Sequence, residues 1–146
     1  MKDDYIFFSK EVVNEILENV NTSPPETGGI IGMKENVVCK MEYDEGKRTY
    51  RACSYYPNVD RLNEIIFGWQ KTGIQFVGLY HTHYFGVSSL SEGDELYIKQ
   101  IMFKMPDNIK KLLFPIVVMP QKEIVLYSAL KDGHGVIIEV EEIKYI

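Results

Sequence analysis

Apolar positions recur along the chain with two different periods, and the changes of period divide it into elements. Between Lys10 and Asn19, Val12, Val13, Ile16 and Leu17 fall on one helical face, and Ser9 stands where an N-cap belongs. Thr22-Ser23-Pro24-Pro25 ends that helix. Three strand-like runs follow, 28–33, 37–43 and 49–55, separated by the turn formers Lys34-Glu35-Asn36 and Asp44-Glu45-Gly46. A second helix is expected from Asn58 or Asp60 to Thr72, burying Leu62, Ile65, Ile66 and Trp69, with Gly73 closing it. Residues 74–83 read as a central strand that ends in two histidines, and 84–90 as a loop. A third helix runs from Ser91 to Lys104, with Pro106 preventing its continuation. Residues 114–119 and 123–130 form a hairpin around Pro120-Gln121, and 135–140 form a further strand after a Lys131-Asp132-Gly133-His134-Gly135 turn. The elements alternate without repeat, linker or low-complexity tract. The expectation is one domain, 1–146, of α/β class, with a mixed β-sheet sandwiched by helices.

Composition narrows the function without naming it. The chain has 146 residues, of which 45% are hydrophobic and 25% charged, the profile of a soluble globular protein with a sizeable core. A net charge of −5 gives no electrostatic case for nucleic acid, whose phosphates call for Lys and Arg. No apolar run approaches the ~18 residues of a membrane span, and Met1-Lys2-Asp3-Asp4 lacks the layout of a secretory signal. Cys39 and Cys53 form neither a Cys-x-x-Cys clamp nor a disulfide framework, and both read as reduced core residues in strands. Together these features read as a cytoplasmic protein.

The candidate chemistry is concentrated between His81 and Asp94. His81-Thr82-His83 is followed after seven residues by Ser91 and after two more by Asp94. On a strand, residues two apart share a face, so His81 and His83 can grip one metal ion while Thr82 faces away. Asp94 can complete a set of two histidines and one carboxylate, the three-ligand count of catalytic zinc sites. Chance alone, from this chain's own frequencies, yields such a pattern on the order of 10⁻⁴ times. Each residue also has a plainer reading. Ser91 and Asp94 make a good helix start, and capping is compatible with catalysis because residues three apart share a face. Glu92 and Glu95 are competing carboxylates, His134 sits in a glycine-flanked turn, and Tyr80, Tyr84 and Phe85 read as wall and core. The signatures of cytidine deaminases, His-Glu-x-x-His proteases, P-loops and dinucleotide folds are absent.

The spacing resembles the JAMM (MPN+) metalloprotease motif: a distant Glu, His-Ser/Thr-His, seven residues, Ser, two residues, Asp. Pro25-Glu26-Thr27-Gly28-Gly29-Ile30-Ile31-Gly32 looks like the segment that carries the family's Glu. The residues themselves say only that Glu26 opens an apolar, glycine-rich strand, so its selection comes from the resemblance. The resemblance spans about residues 5 to 130 and implies the cytidine-deaminase-like JAB/MPN architecture. It implies one Zn²⁺ per chain on His81, His83 and Asp94, Glu26 as general base and then acid, and Ser91 as hydrogen-bond donor to the oxyanion. The implied reaction is hydrolysis of a peptide or isopeptide bond beside the C-terminal Gly-Gly tail of a ubiquitin-like protein. Small size and the Glu-x-Gly-Gly start look like the stand-alone prokaryotic JAB-like branch, linked to ubiquitin-like sulfur carriers and E1-like activating enzymes. One residue departs from the pattern: Tyr84 stands where the family commonly has Pro, which bears on the shape of loop 84–90, the place where a gate would sit. The alternatives are a non-catalytic MPN-type scaffold and a zinc amidohydrolase acting on a small molecule.

Overall fold

The computed structural model describes residues 4–47 and 55–146. In chain order its elements are β1 (Ile6–Phe8), α1 (Lys10–Asn19), β2 (Gly28–Lys34), β3 (Val37–Asp44), α2 (Val59–Lys71), β4 (Gln75–His83), α3 (Glu92–Lys104), β5 (Lys111–Val118), β6 (Glu123–Asp132), β7 (Gly135–Glu141) and β8 (Ile143–Tyr145). The strands form one sheet in the order β7-β6-β5-β4-β2-β3-β1-β8. β4 pairs parallel with β5, and β1 parallel with both β3 and β8; the remaining pairs are antiparallel.

Helices cover both faces, as expected of a mixed sheet in a helical sandwich. α1 lies on one face, where Val12 and Ile16 pack with Phe8, Ile31, Val38, Val77, Tyr80 and Tyr84. α2 and α3 lie on the other, where Leu62, Ile98 and Met102 pack with Ile30, Leu79, Leu112 and Phe114. Ser9 caps α1 by accepting the Val12 N–H at 3.1 Å, and Gly73 takes φ +78° just beyond α2, a conformation that costs glycine little. Among the described residues, no helix is long and apolar enough to cross a membrane.

A bulge in β4 decides which way its last residues point. Ile31 opposes Gly78 while Gly32 opposes Phe76, so Val77 is an extra residue on β4. Phe76 and Leu79 consequently pack under α2 and α3, whereas Val77 and Tyr80 pack under α1. At Gly78 the backbone of β5 comes so close that a Cβ would overlap the Leu113 carbonyl oxygen.

The expected elements that fall among the described residues are present with small shifts at their ends, and three points differ. β1 and β8 are additional strands of three residues each, stitched by Ile146 N–H to Phe8 O (3.0 Å) and Ile6 N–H to Glu142 O (2.9 Å). Their pairing is entirely non-local, and three residues are too few to display a period. β5 begins at Lys111, three residues before the expected 114. Cys39 is free and half-buried, not a core residue; it is the extra residue of a bulge in β3, between the pairs Gly32–Lys40 and Met33–Val38. The expected strand over 49–55 and Cys53 lie outside the described residues, apart from Tyr55.

Candidate metal centre

Two elements meet to bring the histidines and Asp94 together. β4 ends at His83 between β2 and β5, with His81 opposite Gly28 on one side and Ile116 on the other. α3 begins beside that strand end, capped by Ser91. The Ser91 Oγ accepts the Asp94 N–H at 3.0 Å, and Asp94 Oδ2 accepts the Ser91 N–H at 2.9 Å, a reciprocal capping box. The cap therefore aims the Asp94 carboxylate at the histidines. His81 Nε2 lies 3.2 Å from Asp94 Oδ1, His83 Nε2 lies 3.1 Å from Asp94 Oδ2, and the two Nε2 atoms are 3.1 Å apart.

Those separations fit a tetrahedral cation. Bonds of about 2.0–2.1 Å to nitrogen and oxygen space ligand atoms about 3.3 Å apart around zinc. The donor chemistry agrees. His83 Nδ1 sits 3.1 Å from the Val87 carbonyl oxygen, which only accepts, so Nδ1 carries a proton; Nε2 of the neutral ring then offers its lone pair inward, and Nε2 of the protonated ring donates to Asp94. His81 and His83 are buried and Asp94 is partly buried. The expectation that His81 and His83 share a face, with Thr82 turned away, agrees with this geometry.

The electrostatics follow from the crowding. Burial opposes ionisation of Asp94, but hydrogen bonds from His81, His83 and the Ser91 backbone prevail and hold its pKa well below the usual carboxylate range. Burial pulls His83 down, yet the Asp94 carboxylate, with Glu26 behind it, outweighs that and leaves its pKa raised. Glu26 is half-buried, and desolvation lifts its pKa above the ordinary value even though His81 and His83 draw it down.

Glu26 and Ser91 line the same groove, of about 440 Å³, as His83 and Asp94. Its walls include Tyr55, Tyr56, Tyr84, Phe85 and Leu90. Phe85 stands 85% exposed at the rim, so it is not core, whereas Tyr80 and Tyr84 are buried. Ser91 Oγ accepts the Asp94 N–H in the helix cap, a bond that does not use its own O–H, which stays available to donate. Loop 84–90 is tied down by Gly86 N–H to Met119 O (3.0 Å), Val87 N–H to Tyr84 O (3.2 Å), and Tyr127 Oη to Ser88 O (2.9 Å). A gate there would have to break those bonds.

Sequence reasoning did not reach the residues around this centre. The Tyr55 ring lies parallel to His81 at 6.4 Å, its backbone hydrogen-bonds Glu26, and its hydroxyl donates to Asp44 at 2.8 Å. Asp44 is itself buried and also accepts from Asn58 N–H (3.0 Å) and Arg61 (3.4 Å). Tyr97 meets His81 edge-on at 6.1 Å, with its buried hydroxyl lacking a partner among the described residues. Tyrosines and an aspartate scattered over this span carry no sequence signal; only the fold assembles them.

Comparison with known structures is consistent with this architecture. A crystal structure of AF2198, a JAB1/MPN domain protein from Archaeoglobus fulgidus, matches 98% of this chain and 99% of its own at 15% identity, with a TM-score of 0.57. The fold is JAB1/MPN-like. The solution structure of protein DSY2949 from Desulfitobacterium hafniense matches 96% of this chain and 92% of its own, at 18% identity and a TM-score of 0.64. No family profile and no curated protein matches the sequence. At such identities the JAB1/MPN-like likeness concerns the fold, and the chemistry rests on the residues of this chain.

Proposed function

We propose that this protein is a zinc-dependent metallopeptidase of JAMM type. It hydrolyses a peptide or isopeptide bond next to the C-terminal Gly-Gly tail of a ubiquitin-like or sulfur-carrier protein, in the cytoplasm, with an E1-like activating enzyme as a further partner. The observation that carries the reading is the convergence of His81, His83 and Asp94 at 3.1–3.2 Å in a groove that Glu26 and Ser91 also line. A zinc ion bound there supplies Lewis acidity, polarising a carbonyl and acidifying water.

The chain's own groups do the rest. Glu26 takes a proton from the attacking water and returns it to the leaving amine, a task suited by its raised pKa. Ser91 donates its O–H to the developing oxyanion, and its position is set by the cap it forms with Asp94. His83 is held in the ligating tautomer by Val87.

The test is metal content and cleavage together. Wild type is expected to carry one zinc per chain, lost in His83→Ala and Asp94→Ala. Glu26→Ala is expected to keep the zinc and lose cleavage of a ubiquitin-like protein extended beyond its Gly-Gly. A metal-free wild type after zinc supplementation would reject the reading, and a fully active Glu26→Ala would remove Glu26 from it.

A further inference from the structure

We propose that Thr82, on β4, and Tyr84, one residue past its end, are positioning residues that hold Glu26 in place through the backbone on either side of it. Glu26 has no regular element of its own; it lies in the stretch between α1 and β2. Its two neighbours, however, are both bonded at the end of β4, Thr27 to Thr82 within the strand and Pro25 to Tyr84 just beyond it. Thr27 N–H donates to Thr82 Oγ1 at 3.0 Å, and Thr82 N–H donates to the Thr27 carbonyl at 2.9 Å. On the other side, Tyr84 Oη donates to the Pro25 carbonyl at 3.1 Å, with the Asn21 carbonyl also in reach at 3.3 Å. The Thr82 hydroxyl lies 3.1 Å from Tyr84 Oη and links the two struts.

Alternation along the strand gives this arrangement its logic. His81 and His83 turn towards Asp94 at the start of α3, while Thr82 turns towards Thr27 and the Tyr84 ring packs in the α1 cluster as well as lining the groove. One rigid strand thus fixes the metal ligands with one set of side chains and the carboxylate's backbone with the other. Thr82 and Tyr84 are buried, so the struts are shielded from competing water. Tyr84, the residue that departs from the proline common in the resembling family, is the longer of the two struts. The inference rests on Glu26 as the proton carrier, and its test separates the two ideas.

The experiment compares zinc-loaded full-length wild type, Tyr84→Phe and Thr82→Val. Tyr84→Phe keeps the ring in its apolar cluster, so the fold is retained. Amide hydrogen exchange by NMR is expected to be at least tenfold faster at Glu26 and Thr27 in both variants and unchanged at Ile98 and Met102. Zinc affinity, titrated with the metal alone, is expected to stay within twofold. With a peptide bearing an aminocoumarin amide on its C-terminal Gly-Gly, kcat is expected to fall at least tenfold at a KM within twofold. In a Glu26→Gln background Tyr84→Phe is expected to cause no further loss, which a merely structural role would not produce. Unchanged exchange at Glu26 and Thr27, or an equal loss of kcat with and without Glu26, would overturn the proposal. Should wild type leave the probe intact, the proposed function fails on its own, and the exchange rates still uphold or overturn the positioning.

Discussion

Removing zinc is expected to destabilise this protein strongly at pH 7.5 and weakly at pH 5. In the metal-free protein Asp94 has a depressed pKa and His83 a raised one. The Asp94 contribution is therefore present above its unfolded value of about 3.9 and is lost as the pH falls through the folded one. The His83 contribution is complete below its unfolded value of about 6.5 and is lost as the pH rises through the raised folded value. Between those limits a proton holds the two imidazoles and the carboxylate together. Above them His83 Nε2 carries a lone pair 3.1 Å from His81 Nε2, where a cation can take the proton's place.

Zinc runs the other way, because it requires neutral imidazole. At a zinc concentration 100 times Kd the stabilisation is about 2.7 kcal/mol. For a chain of 146 residues each kcal/mol moves Tm by about 2–4 °C, so the shift at pH 7.5 is about 5–11 °C. At pH 5, below the raised His83 pKa, protons compete with zinc for the imidazole and weaken its binding. The same zinc concentration then yields a smaller stabilisation and a smaller Tm shift than at pH 7.5. Scanning calorimetry with zinc and with a chelator at both pH values makes the measurement. Identical Tm values with and without zinc at pH 7.5, or a shift as large at pH 5, would refute the reasoning.

Two further substitutions test the scaffold of the site. Gly78→Ala forces a methyl group into the Leu113 carbonyl, where a backbone cannot turn aside, and is expected to cost about 3 kcal/mol in urea unfolding. Ser91→Ala removes the α3 cap and is expected to cost about 1 kcal/mol of stability and to lower kcat about 10²-fold, while zinc content persists; a variant that cleaves at the wild-type rate would exclude Ser91 as an oxyanion donor.

The parts of the site that were legible in the sequence are those set by local rules. His81 and His83 share a face whatever happens elsewhere in the strand, and Ser91 and Asp94 share the first turn of a capped helix. The long periodic helices were legible for the same reason, since Val12 and Ile16 or Leu62, Ile66 and Trp69 repeat at helical spacing. The three-residue strands β1 and β8 were not, because their existence depends on one another and on β3. Nor was the surround of His81, where Tyr55, Asp44 and Tyr97 arrive from three distant segments. Tyr84 was visible as a departure, but its bond to the carbonyl before Glu26 depends on how α1 turns back towards β2.

The bulge at Val77 joins the legible and the illegible parts. By simple alternation Val77, Leu79, His81 and His83 would all lie on one face. Val77 packs under α1, so an unbroken strand would carry the histidines there too, across the sheet from Asp94. The extra residue reverses the phase, placing Leu79 under α2 and α3 and the histidines at the start of α3. The same reversal turns Thr82 and Tyr84 towards the stretch that bears Glu26. Sequence can thus state that two histidines act together without stating which helix they meet. A single inserted residue, next to a glycine that lets β5 close in, supplies the missing choice. It directs the ligands and the struts to opposite sides at once, so the metal centre and the carboxylate beside it share one structural cause.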